Sequence, residues 1–208
     1  FGLAITGEYL SVPASVGFIA LCGIAVLNGV VLITCIQHLR SEGLTQMAYK
    51  ITNPLIGPQP IAVSETTQYH ALGTIVRAED PVYGAGEFIY LKGVASTVVG
   101  SVVDYDSYLA TTTLAPATTG TGPVAVAMSI NVANQYGWYQ ITGVAAVKAP
   151  NAMTVGADVF MLAATPGSVD DAAVNGEQIL NAKVTTTTGT PSTGLALIEI
   201  NRPFHQGQ

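Results

Sequence analysis

The residues able to do chemistry in this chain are few, and their spacing decides what each could do. Beyond Met47 the histidines are His70 and His205. A nucleophile relay needs an imidazole held between a Ser or Cys and an acid, and no Gly-x-Ser-x-Gly elbow presents such a nucleophile. His70, beside Tyr69, reads either as a ligand or base, or as a structural or surface residue near a strand start. His205 falls in the last few residues, where a chain is least tied down. The acidic pairs Asp104 with Asp106 and Asp170 with Asp171 suit weak cation binding and suit ordinary turns equally well. No His, Cys or carboxylate cluster has metal-ligand spacing. Gly84-Ala85-Gly86 lacks a following Lys and Ser/Thr and opens a strand, which excludes a phosphate loop of the usual form. The cysteines, Cys22 and Cys35, both lie in the first quarter, so the rest of the chain has no disulfide and no thiolate metal site. What remains is Ser, Thr, Asn and Gln at turns. The expectation is a protein that is not an enzyme, takes no cofactor and no metal, and binds or builds surfaces.

The elements that position these residues follow one pattern. In Glu87 to Asp106, EFIYLKGVASTVVGSVVDYD, Phe88, Tyr90 and Lys92 alternate with Ile89 and Leu91. Gly93 to Ser96 interrupt the run, and a second apolar run from Val98 to Val103 stops at Asp104 and Asp106. This reads as strand, turn, strand. The same grammar recurs at Val124 to Met128, Gly137 to Val147, Val155 to Ala163, Gln178 to Val184 and Gly194 to Ile200, with a further strand at Gly73 to Ala78. None of these runs has helical period or length. The predicted fold class is all-β, a compact β-barrel or sandwich. Thr111 to Gly122 reads as a loop or Thr-rich edge. LALIEINRPF reads as a closing strand from which Arg202 and Phe204 leave the barrel. Trp138, between Tyr136 and Tyr139, is a core anchor or a partner contact. Tyr136, Trp138 and Phe204 are the candidate subunit contacts.

Charge and hydropathy separate the chain into parts. Only 10% of residues are charged, against about 25% in a typical soluble domain. A net charge of −6 with seven scattered Lys and Arg argues against a nucleic-acid partner. From Val16 to Ile36 the sequence VGFIALCGIAVLNGVVLITCI carries no charge, and about 20 apolar residues in a helix span a bilayer core. The alternative is a helix buried in protein. Residues 1–46 are thus expected to be a hydrophobic helical leader, and Met47-Ala48-Tyr49-Lys50 reads like the start of a separate protein. That makes the leader unrelated to the main function. Residues 47–63 form an extended arm, because Pro54, Pro58 and Pro60 lack N–H donors and force extended geometry on their neighbours. Tyr49, Leu55, Ile56 and Ile61 are its anchors. The arm either packs across its own barrel or reaches another subunit. Residues 64–208 form the β domain.

Two resemblances bear on function. Gly7 to Gly43, GEYLSVPASVGFIALCGIAVLNGVVLITCIQHLRSEG, resembles a transmembrane stretch of heavy-metal efflux pumps of the resistance-nodulation-division family. It covers one membrane segment, and the family's proton-relay acids lie on other helices, so transport by this chain is not implied. Met47 to Gln208 resembles the head-decoration proteins of tailed bacteriophages, through MAYKITNPLIGPQPIAVSETTQYHALGTIVRAEDPVYGAGEFIYLKGV, GPVAVAMSINVANQYGWYQITGVAAV and LALIEINRPF. That resemblance implies a homotrimeric, capsid-stabilising virion protein on the outer capsid surface, a structural protein partnered by the major capsid protein. The arm residues Tyr49, Pro54, Leu55, Ile56, Pro58, Pro60 and Ile61 would then bind the capsid. The alternative is a membrane-anchored, β-rich interaction module of a bacterial envelope, with Val16 to Ile36 as a genuine anchor.

Overall fold

The computed structural model describes residues 50–51, 59–116, 120 and 122–206. The leader, and Tyr49, Pro54, Leu55, Ile56 and Pro58 of the arm, lie outside the described residues. The chain divides between Leu44 and Thr45, and the unit Thr45–Gln208 contains everything described below. Among the described residues there is no helix, and therefore none long and apolar enough to cross a membrane. The fold is all-β, a single sheet curled into a half-barrel.

Its strands in chain order are β1 (Lys50–Ile51), β2 (Ile75–Asp80), β3 (Gly84–Lys92), β4 (Val102–Tyr105), β5 (Thr112–Leu114), β6 (Val124–Ala127), β7 (Tyr136–Lys148), β8 (Asp158–Met161), β9 (Val169–Asp170), β10 (Gln178–Val184) and β11 (Leu195–His205). The main path through the sheet is β1-β2-β3-β7-β11-β10-β8-β9, and every pairing is antiparallel. β4 pairs with β5 and β6, and β6 returns to β7. β7 is the hub. Its first half pairs with β3 and β6, and its second half with β11.

The alternation of side chains explains why the sheet curls. In β2, Val76, Ala78 and Asp80 face inward while Ile75, Arg77 and Glu79 face out. Strands β3 and β7 are buried on both faces. Phe88, Tyr90 and Trp138 fill one cluster, and Ile89, Leu91, Tyr139 and Ile141 fill another. A third cluster, with Val147, Val159, Ile179, Ile198 and Ile200, underlies β7 to β11. Two buried faces per strand need the sheet to fold back over itself, since a flat sheet would leave one face wet. Trp138 is fully buried. Its indole Nε1 donates to the Gln59 carbonyl at 3.3 Å, and its ring lies 5.0 Å from Tyr90 and 5.1 Å from His70.

Several expectations are corrected here. The Glu87 to Asp106 stretch is not a hairpin: β3 and β4 do not pair. The run from Val98 to Gly100 is loop although it is apolar, because its backbone bonds go to other elements. Gly100 donates to Ala127 and accepts from Lys148. The strand expected at Val155 to Ala163 shrinks to β8, as Gly156 turns the chain at φ +84°. Arg202 and Phe204 do not leave the sheet. β11 runs on to His205, and Phe204 pairs with Leu180. The described part of the arm lies on its own domain: Lys50–Ile51 pair with Glu79 and Ala78, and Ile61 is buried in the core with Trp138. Pro60 is exposed.

Candidate interaction site

Two irregularities in neighbouring strands create a groove. Between Leu180 and Ala182 the register of β10 against β11 shifts, so that Leu180 pairs with Phe204 but Ala182 pairs with Ile200. Against β8 the slip is larger, with Ile179 opposite Val159 and Lys183 opposite Asp158. Asn181 and Arg202 sit in these bulges at φ +60° and +48°, a conformation uncommon for residues other than glycine and most tolerated by Asn and Asp. Bulges of this kind re-aim side chains at functional edges.

The groove so formed has a volume of about 590 Å³. Leu180, Ala182, Ile200 and Phe204 supply apolar surface, and Phe204 is 44% exposed. Asp158, Lys183, Glu199, Asn181 and Asn201 supply polar surface, with Lys183 Nζ 2.8 Å from the Asp158 carboxylate. A smaller, polar recess of about 260 Å³ shares Asn201 with it and holds Arg77, Glu87, Thr142 and Arg202. There Arg202 donates to the Glu87 carboxylate at 3.0 Å. An exposed aromatic over an apolar floor, edged by charges of both signs, suits a seated side chain of a partner. It offers no nucleophile paired with a base.

The residues singled out for chemistry are scattered. The His70 ring meets Tyr90 edge-on and Trp138 at a tilt, at 5.0 and 5.1 Å, and burial pushes its imidazole below the usual value. His205 is not a loose terminal residue. It is fully buried, its backbone N–H donates to Gly122, and burial lowers its imidazole as well. Asp106 accepts from the backbone of Tyr108 and Leu109, which holds its carboxyl below the ordinary range. Asp171 accepts from Thr154 and Asp170 from Ala172, so these two and Asp106 serve turns, while Asp104 lies within β4. Of the candidate subunit contacts, Trp138 is buried, Tyr136 is half-buried, and Phe204 lines the groove. Leu180, Asn181, Lys183, Asp158 and Glu199 carried no sequence signal beyond strand alternation.

Among the described residues Asp104 is the one carboxyl moved far upward. Burial raises it from 3.8 to about 7, and its Oδ1 has no hydrogen-bond partner. The folded chain therefore keeps a proton that the unfolded chain has lost, and stability contributed at this site falls as pH rises from 3.8 to about 7. The span corresponds to about 4 kcal/mol, which solvent around a half-buried carboxyl reduces to about 1–2 kcal/mol. Asp104→Asn is expected to exceed the parent in stability by that amount at pH 8 and to match it near pH 4, as urea denaturation at the two pH values will measure.

Comparison with known proteins bears on the first part of the chain. Residues 1–52 match the AcrB/AcrD/AcrF family. The chain is similar to the cobalt-zinc-cadmium resistance protein CzcA of Cupriavidus metallidurans, 58% identical over 41 residues, which are 20% of this chain and 4% of that protein. It is 34% identical over 103 residues to the nickel and cobalt resistance protein CnrA of the same organism, covering 50% of this chain and 9% of CnrA. It is 29% identical over 102 residues to the swarming motility protein SwrC of Bacillus subtilis, 49% of this chain and 9% of SwrC. The chain thus spans less than a tenth of the length of these relatives. Their names carry no capsid role. The expectation of a trimeric virion protein bound to a major capsid protein on the outer capsid surface is corrected on this finding. The physical reason for the misreading is plain. The stretches that carried it record strand and turn alternation, which any exposed β domain shares, whereas the efflux-type match rests on residue-by-residue identity.

Proposed function

We propose that this chain is a membrane-anchored, β-rich interaction module of a bacterial envelope, without catalysis of its own. The observation that carries this reading is the match of residues 1–52 to an efflux-pump family, which runs into the start of the β unit at β1. In it, Val16 to Ile36 is a bilayer-spanning helix, residues 47–63 link it to the β domain, and the β10–β11 groove receives a partner's apolar side chain. The matches extend over 4 to 9% of the relatives' length, and a shared membrane segment is what they support.

Fractionation of cells expressing the full chain tests the anchor. The chain is expected to stay with membranes through a carbonate wash, and a variant lacking residues 1–46 to leave them. Release of the full chain by carbonate sinks the reading.

A further inference from the structure

One end of the β domain gathers apolar side chains that its cores do not use. Four segments meet at the C-terminal end of β3. Gly93 donates to Gln135, Lys92 to Ala110, and Asn131 to Thr97, while Ser64 Oγ reaches the Ile130 carbonyl at 2.6 Å. These segments, 62–66, 93–101, 106–111 and 129–135, expose Val63, Val98, Tyr108, Leu109, Ile130 and Val132. Tyr108 is 93% exposed, Ile130 61% and Leu109 57%. Large apolar side chains held together in water mark contact surfaces.

We infer that this end docks on the interfacial region of a lipid bilayer of no net charge, inserting Tyr108, Leu109 and Ile130. Three observations select that partner. The four segments contain no Lys or Arg and two carboxylates, Glu65 and Asp106; Lys92, half-buried at the end of β3, is the neighbouring cation, and the whole chain carries −6. Such a surface is repelled by anionic headgroups and matched to zwitterionic ones. The outermost turn is also bonded within itself. Tyr108 and Leu109 donate their N–H groups to Asp106 Oδ1 at 2.7 and 2.8 Å, and Ala110 donates to the Asp106 carbonyl at 2.8 Å. A turn whose donors are satisfied internally can approach hydrocarbon without stranding them. Lastly, a tyrosine beside aliphatic residues is the composition favoured at the headgroup level. The docking does not need residues 1–46 as an anchor, so it goes beyond the envelope reading.

The test uses the full chain with Cys22→Ser and Cys35→Ser, carrying an environment-sensitive fluorophore at Leu109→Cys. A matched probe sits at Val82→Cys, on the β2–β3 turn at the other end of β3, where Val82 is 79% exposed. Both are mixed with phosphatidylcholine vesicles whose acyl chains are brominated. The expected result is a blue shift and strong quenching at position 109 with position 82 unchanged, and loss of the signal when Tyr108→Ser and Ile130→Ser are added. No change at 109, or equal change at both positions, overturns the inference; a protein partner for this end would give the former. Carbonate extraction of the same vesicles reports the anchor separately. A chain that resists extraction with position 109 in water refutes the docking and leaves the anchored reading intact, and an extractable chain with 109 shielded does the reverse.

Discussion

Trp138→Ala is expected to destabilise the β domain by about 3–5 kcal/mol, the range for deleting a buried aromatic where neighbours cannot collapse into the space. Collapse is blocked because the neighbours are committed elsewhere. Tyr90 Oη donates to Gln59 Oε1 at 2.7 Å, and Gln59 Nε2 donates to the carbonyls of Val63 and Tyr136. Removing the indole also frees the Gln59 carbonyl that accepts from it, adding a lost hydrogen bond to the lost packing. The loss is about a third to a half of the stability of an ordinary domain. Thermal unfolding followed by far-ultraviolet circular dichroism measures it. A loss below about 1 kcal/mol would contradict full burial of the indole among rigid neighbours.

Gly143→Ala is the second large effect. Gly143 sits at φ +93°, and a Cβ placed there would lie 2.5 Å from the Ala85 carbonyl oxygen and 3.2 Å from Gly86 Cα. Both obstacles are backbone, so no side chain can swing aside. Holding alanine at that φ costs about 1–2 kcal/mol, and separating β3 from β7 to relieve the contact adds to it. The expected total is about 3 kcal/mol or more. Gly194→Ala is the control, since it shares a positive φ of +80° but meets nothing within 4 Å. It is expected to lose only the conformational part. Equal losses for the two variants in urea denaturation would show that the close approach of β3 and β7 contributes nothing.

These two residues also mark what a sequence can disclose. The strands were legible because Val, Ile, Tyr and Trp alternate within them; Gln178 to Val184 matches β10, and Gly137 to Val147 lies within β7. Their pairing was not legible. Val98 to Val103 sits next to β3 in sequence, yet β3 pairs with β2 and with the distant β7, with Tyr90 opposite Trp138. Register across such separations depends on three-dimensional fit that local pattern does not encode. The groove was hidden for a related reason. It depends on left-handed backbone at Asn181 and Arg202, and only the asparagine hints at that conformation. Ile61 shows the opposite failure. Prolines at 54, 58 and 60 read as an extended arm, but at its described end the chain turns, Val63 N–H donating to the Pro60 carbonyl, and Ile61 anchors in its own core.

The placement of β7 also dictates the order in which the protein can be made. Its partners β3 and β6 precede it in the chain, but the partner of its second half, β11, begins at Leu195, after Lys148 has been synthesised. At about 5–20 residues per second, the intervening stretch of roughly 50 residues takes about 3–10 s to emerge. For that interval Val144 to Lys148 present an open, apolar strand edge to whatever else is nearby. Such an edge is a template for pairing with another chain. A nascent chain of this design depends on shielding during its own synthesis, and truncations that remove β11 leave that exposure permanent.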